Sequence, residues 1–131
     1  MHRLPIRVYY EDTDLAGIVY YANYLRFTER ARTELLRAAG IDQSALKDAT
    51  GMVFAVRRVE ADFIAPARFD DLLEVVTSLD TLGGARAVLT QDILRDGETL
   101  FASRVTLVAL TAYGRPTRLP HAVRAALSGT N

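Results

Sequence analysis

The sequence predicts an α+β domain, with one long amphipathic helix laid on a five-stranded antiparallel sheet. Three observations predict it. Apolar residues recur at helical spacing over only one extended stretch, Val19 to Ala39. From Met52 onward the pattern changes to β-branched and apolar runs broken by turn residues. At 131 residues, half of them hydrophobic, the chain is long enough for about one domain with a real core.

The elements follow in order. Ile6 to Tyr10 is short, aromatic and β-branched and reads as the first strand, and Glu11 to Gly17 reads as loop. In the helix, Tyr20, Tyr24, Phe27, Ala31, Leu35 and Ala38 make an apolar stripe read as core, with a minor share in lining a pocket. Arg26, Glu29, Arg30 and Arg37 occupy the remaining surface, and Gly40 closes the helix. Asp42 to Gly51 is polar and alanine-containing, a turn and a short helix. Val53 to Ile64, Leu72 to Thr81, Ala85 to Arg95 and Thr99 to Thr111 then read as four strands of an antiparallel meander. They are separated by Pro66 to Asp71, Gly83-Gly84 and Asp96-Gly97, the last a tight-hairpin signal. Pro120 to Leu127 ends the chain as a short helix. One helix covers only part of such a sheet, and Val105 to Leu110 offers side chains for burial on both faces, so self-association is expected.

Composition excludes several functions. Sixteen basic and sixteen acidic residues cancel, which removes any global electrostatic reason to expect nucleic acid or an anionic membrane as partner. Without cysteine there is no disulfide, thiolate metal site or cysteine nucleophile, and His2 and His121 stand at opposite ends without a ligand-spaced partner. No cofactor is implied. No apolar run approaches the roughly 20 residues of a membrane span, and Met1-His2-Arg3-Leu4-Pro5 lacks a signal-peptide core, so a cytoplasmic location is expected.

The chemistry concentrates in Tyr10 to Tyr24, where an acidic loop runs directly onto the start of the long helix. A helix N-terminus offers unpaired N–H groups and a partial positive charge, able to polarise a carbonyl or hold an oxyanion. A carboxylate beside it attacks, or activates water, which is the minimum equipment for acyl transfer without a triad or a metal. Glu11, Asp12 and Asp14 are all acidic, and Asp14 also fits an Asx turn or a favourable charge near the helix start. Gly17 reads as a tight turn or a close approach by substrate.

Val8-Tyr9-Tyr10-Glu11-Asp12-Thr13-Asp14, Gly17, Val19-Tyr20, Tyr24 and Glu29-Arg30-Ala31-Arg32-Thr33-Glu34 resemble the signature of the 4-hydroxybenzoyl-CoA thioesterase-like hotdog family. The branch that the chain resembles more closely is the Tol-Pal-system-associated acyl-CoA thioesterases. A second matching run, Ala65 to Glu74, extends the resemblance over nearly the whole chain. The resemblance implies a hotdog fold, a sheet wrapped around the long helix, with two subunits paired edge to edge and sites at their interface as a homodimer or homotetramer. It ranks Asp14 first as nucleophile or general base, leaving Asp12 structural, and carries the thioester-oxygen contact to the backbone N–H of Tyr21. Many members of the closer branch have histidine there, whereas the 4-hydroxybenzoyl-CoA branch is similar to this chain in having tyrosine.

An acyl-CoA substrate brings phosphates, for which Arg57, Arg58 and Arg86 are the candidates. Arg86 follows Gly83-Gly84, whose backbone N–H groups can also meet an anion; a basic pair of a relative is replaced here by Gly83-Gly84-Ala85. The bland reading of each arginine is a solvated strand residue. The expected function is hydrolysis of a small or medium acyl-CoA thioester to free acid and CoA. The alternative is a non-hydrolytic acyl-binding or scaffold protein that holds acyl carrier protein or envelope partners. A dehydratase is disfavoured because no histidine accompanies the carboxylate in the motif.

Overall fold

The computed structural model describes residues 1–131. Strand β1 (His2–Arg7) is followed by a 3-10 turn at Tyr10–Asp12, helix α1 (Asn23–Ala38) and helix α2 (Gln43–Thr50). Strands β2 (Val53–Phe63), β3 (Leu72–Leu82), β4 (Arg86–Arg95) and β5 (Glu98–Leu110) come next, and helix α3 (His121–Ser128) ends the chain. All five strands form one antiparallel sheet that carries α1, the hotdog layout implied by the resemblance.

The expected four-stranded meander is corrected. The order across the sheet is β1-β3-β4-β5-β2, so only β3, β4 and β5 meander, while β2 lies at the far edge beside β5. The segment from Ile64 to Asp71 therefore crosses from one side of the sheet to the other. It is held at both ends: the Ile64 and Ala65 N–H groups donate to the Leu100 carbonyl, and the Asp70 N–H donates to the Val8 carbonyl. Turn signals locate strand ends but not strand neighbours, which long-range packing selects.

Local chemistry explains the boundaries. At the end of α1 the Gly40 N–H donates to the Arg37 carbonyl and the Ile41 N–H to the Leu36 carbonyl, a Schellman closure. Asp42 caps α2 by accepting from the Ala45 N–H at 3.1 Å. Asp96 and Gly97 have φ of 50° and 81°, the pair of positive values that a two-residue type I′ hairpin needs. The first strand runs earlier than expected, His2–Arg7 rather than Ile6 to Tyr10. Pro5 is tolerated because β1 is an edge strand, and Tyr9 and Tyr10 leave the sheet where the Asp12 carboxylate takes the Tyr9 N–H at 2.8 Å.

Along β3, β4 and β5 one face is buried beneath α1. Leu73, Val75, Ile93, Leu100 and Phe101 meet Phe27 and Ala31, and farther along α1 Leu35 and Leu36 meet Ala87, Leu89 and the α3 side chains Val123 and Leu127. Between these apolar clusters runs a polar seam in register, Thr77, Gln91 and Ser103. Gln91 Nε2 donates to the Thr28 carbonyl at 3.1 Å and to the Thr77 hydroxyl at 2.9 Å, and Ser103 donates to the Gln91 carbonyl at 2.7 Å. A satisfied buried amide of this kind pins the helix at one position over the sheet. Both α1 and α3 lie on this face, and on the other Thr106, Val108 and Leu110 stay half-buried.

Candidate active site

The acidic loop folds as a small hairpin. Thr13 and Val19 form a bridge, the Asp14 N–H donates to the Ile18 carbonyl at 3.0 Å, and the Gly17 N–H donates to the Asp14 carbonyl at 3.0 Å. Gly17 has φ of +77°, which L side chains rarely adopt, while a Cβ there would meet nothing within 4 Å. The turn itself demands the glycine, and the space above it is open. Asp14 is exposed. Its Oδ1 accepts from the Ala16 N–H at 2.9 Å, an Asx turn, and its Oδ2 makes no hydrogen bond within the chain.

Asp12 has the opposite surroundings. It is buried, with Oδ2 accepting from the Tyr9 N–H and Oδ1 accepting from Asn23 Nδ2, each at 2.8 Å. Asn23 is the first residue of α1, so this carboxylate ties loop to helix. The hairpin also docks on the crossover through Val19 N–H to the Ala67 carbonyl at 2.8 Å, and the Ala67 N–H donates to the Tyr24 hydroxyl at 3.0 Å.

These ties shorten the helix relative to its expected start at Val19. Val19 is held by Ala67 and the Tyr20 N–H by the Asp12 carbonyl, so α1 begins at Asn23 and Tyr21 precedes its first turn. Tyr21 lies in the turn that the Asn23 N–H closes on the Tyr20 carbonyl at 2.8 Å. The N–H groups of Tyr21 and Ala22 make no hydrogen bond within the chain, and Ala22, at the N-cap, has no side-chain acceptor. The positive end of α1 is thus left with free donors beside the Asp14 hairpin.

The aromatic stripe divides. Tyr24 and Phe27 are buried as expected, but Tyr20 is exposed because it falls before the helix and cannot follow its period. The Tyr20 and Tyr21 rings lie 4.9 Å apart. The neighbouring Tyr21 phenol, then loss of surrounding water and the charge of Asp14, raise the Tyr20 phenol above its ordinary value. Tyr21 reaches Phe63 at 6.3 Å, and Phe63 joins Tyr24 and Phe101 in a continuous aromatic wall. Sequence reasoning missed Phe63, which reads there as one more strand residue.

The three arginines do not converge on this end. Arg57 and Arg58 are exposed on β2 at a bulge, and Arg58 pairs with Glu60 at 3.6 Å. Arg58 and Phe63 stand five positions apart along the strand, about 17 Å. Arg86 opens β4 two strands away, in the row of Val108 and Ala55. The Gly83 N–H is taken by the Arg86 carbonyl at 2.8 Å.

The crossover beneath the hairpin has its own electrostatic lock. Partial burial pulls the Asp71 carboxyl up, but the Arg68 N–H at 2.8 Å and the Arg95 guanidinium at 2.7 Å outweigh it and hold the group below the ordinary carboxylate range. A carboxyl with a depressed folded-state value stabilises the fold above its unfolded value, near 3.9, and loses that contribution as pH falls through the folded value. Asp71→Asn is therefore expected to lower the melting temperature by a few degrees at neutral pH. The gap to wild type should begin to narrow once pH falls below about 4 and close only as pH passes through the lower folded value, which paired thermal melts over a series of acid pH values check.

A carboxylate with an open oxygen in the loop that leads into a helix start with free N–H donors supplies both groups needed to polarise an acyl carbonyl and attack it. Known proteins resemble the chain over most of its length. Residues 16–102 match the family model of the thioesterase superfamily, a stretch that contains Gly17 and Tyr21 and begins just past Asp14. The acyl-CoA thioester hydrolase YbgC of Escherichia coli is 45% identical over 108 residues, 82% of this chain and 80% of that protein. The acyl-CoA thioesterase YbgC of Haemophilus influenzae is 42% identical over 125 residues, 93% of this chain and 90% of that one. A crystal structure of a probable thioesterase from Bartonella henselae superposes with a TM-score of 0.87 at 38% identity, covering 91% of this chain and 98% of its own. With the matching model spanning most of the fold and relatives aligned over most of their length, the chain belongs to the thioesterase superfamily.

Proposed function

We propose that the chain hydrolyses small or medium acyl-CoA thioesters to free acid and CoA, acting in the cytoplasm. The observation that carries this reading is an open Asp14 oxygen in the hairpin that leads into α1, with an unpaired Tyr21 N–H just before the helix start. The amide polarises the thioester carbonyl, and Asp14 either attacks it to form a mixed anhydride or takes a proton from attacking water. Tyr21, Phe63 and the open space over Gly17 border the acyl group. The phosphates of CoA are assigned to the β2 edge, where Arg57 and Arg58 stand, with Arg86 farther along the same sheet. An extended pantetheine arm spans a separation of this order. A panel of acyl-CoA and acyl carrier protein thioesters, followed by thiol release, is expected to show turnover with the CoA esters. Saturable binding of those esters without any thiol release would overturn hydrolysis in favour of an acyl-binding protein.

The same reading assigns the active form to a homo-oligomer. Of the two sheet edges, β1 is short and carries Pro5, Arg3 and Arg7, features that discourage pairing, whereas β2 is eleven residues long and leaves Val56, Val59 and Phe63 exposed. Joining two copies at β2 covers these side chains and brings a second subunit against the aromatic wall. Light scattering is expected to report a dimer or tetramer, and Ala61→Pro, which removes an N–H from that edge, to shift it toward monomer with loss of turnover. A fully active 14.5 kDa species at micromolar concentration would contradict the shared site.

A further inference from the structure

The hairpin that carries Asp14 hangs on the crossover. Every hydrogen bond that leaves residues 14–19 goes to residues 67–69: the Val19 N–H donates to the Ala67 carbonyl at 2.8 Å, and the Gly17 carbonyl accepts from the Phe69 N–H at 3.3 Å. These two bonds make the bridge between Ile18 and Arg68, and the Ile18 carbonyl in turn holds the Asp14 N–H. Where Asp14 stands is therefore set by where Arg68 stands, and Arg68 is fixed by a turn. The Asp71 N–H closes that turn on the Arg68 carbonyl at 3.1 Å, with Asp70 at φ of 70°, a conformation that glycine adopts more readily. Asp71 Oδ2 accepts both from the Arg68 N–H at 2.8 Å and from Arg95 Nη1 at 2.7 Å. Arg95 ends β4 at the Asp96-Gly97 hairpin, so its guanidinium joins the turn to the sheet. Of the six ion pairs in the chain this is the one with both side chains less than a third exposed, 22% and 28%, which sets it apart from solvated pairs that hold little.

We propose that Asp71 and Arg95 are positioning residues for the thioester hydrolysis assigned above, a role that rests on Asp14 as the working carboxylate. Neither bonds to Asp14 itself; the bonded series Arg95, Asp71, Arg68, Ile18 fixes the hairpin to the sheet and so holds the open Asp14 oxygen at one place. Asp14 is exposed and makes no bond of its own to α1, and misplacing a reacting group by about 1 Å costs on the order of a hundredfold in rate. Loss of the Arg95 guanidinium leaves Asp71 holding only the Arg68 N–H and frees a turn strained at Asp70 to shift. Arg57, Arg58 and Arg86, assigned to the phosphates, make no bond to this turn, so substrate binding is expected to survive.

The test compares Arg95→Met with Arg95→Lys in the intact protein, well below the melting temperature of each. Arg95→Met is expected to lower kcat about tenfold with KM for acyl-CoA within about twofold, and Arg95→Lys, which keeps a cation for Asp71, to stay within about threefold of wild type. In single-turnover runs on an Asp14→Asn background, Arg95→Met should cost less than about twofold more, since no charged oxygen is left to misplace. Hydrogen exchange gives a readout that needs no activity: the Val19 and Phe69 amides of Arg95→Met should exchange about tenfold faster while the Leu89 amide keeps its rate. A general loss of stability would speed all three together. Should Arg95→Met fail to fold, Asp71→Asn, which keeps the shape and an acceptor for Arg68, is expected to show the same pattern at smaller size. Wild-type protein that releases no thiol, or Asp14→Asn that turns over normally, would overturn the hydrolytic reading and the positioning role together. With wild type active and Asp14→Asn crippled, three results would overturn the positioning role alone: an unchanged kcat in folded Arg95→Met, an equal loss on the Asp14→Asn background, or Val19 and Phe69 amides that move only in step with Leu89.

Discussion

Tyr21→Pro is expected to lower single-turnover thiol release by about a hundredfold or more, while Tyr21→Phe stays within about tenfold of wild type. The contrast separates backbone from side chain at one position. Proline deletes the N–H assigned to the thioester oxygen, and that N–H makes no hydrogen bond in the fold, so its removal costs no internal partner. The position precedes the first residue of α1, where proline is better tolerated than inside a helix. Phenylalanine removes only a hydroxyl and keeps the ring against Tyr20 and Phe63. Single-turnover kinetics of both variants, with circular dichroism to confirm folding, make the measurement. A crippled Tyr21→Phe beside a near-normal Tyr21→Pro would refute the amide assignment and make the phenol the participating group.

Asp14→Asn is expected to cost more, about a thousandfold in kcat, with acyl-CoA binding little changed. Asparagine preserves the Asx turn, since its side-chain carbonyl accepts from the Ala16 N–H as Oδ1 does now. What it loses is the charge on the oxygen that has no partner in the fold, whichever role that oxygen takes. The residue is exposed and at the tip of a hairpin, so the melting temperature should move little. Steady-state kinetics over a range of acyl-CoA concentrations separate the two effects, a fall in kcat being expected and a rise in KM alone contradicting the assignment.

Much of this architecture was legible before the structure, and the rest fails for physical reasons that can be named. Elements set by local chemistry were readable: the Gly40 closure of α1, the Asp42 cap of α2 and the Asp96-Gly97 turn each depend on residues within a few positions of one another. The placement of β2 beside β5 was not, because it depends on partners dozens of residues apart. Periodicity also ran the helix back to Val19, since Tyr20 has the right spacing from Tyr24 and Phe27. The competing bonds to Ala67 and to the Asp12 carbonyl are tertiary and leave no local trace. The Asp14 hairpin was legible only as an acidic loop with a glycine, and its ranking above Asp12 came from family resemblance. The structure adds a physical distinction, one carboxylate buried with both oxygens occupied and the other exposed with one oxygen open. Arg57 and Arg58 were chosen by charge and Arg86 also by its place after Gly83-Gly84, and neither gives information on which end of a sheet a side chain occupies.

Asp14 rather than Asp12 is the proposed working carboxylate, and thiol release by Asp14→Asn and Asp12→Asn in parallel single-turnover runs, each with a thermal melt, tests that assignment most directly. Asp12→Asn is expected to melt lower, because it weakens the hold on the Tyr9 N–H and Asn23, and to retain turnover in its folded fraction. Asp14→Asn is expected to melt like wild type and release almost no thiol. A well-folded Asp14→Asn that turns over at the wild-type rate, beside a folded but inactive Asp12→Asn, would contradict it.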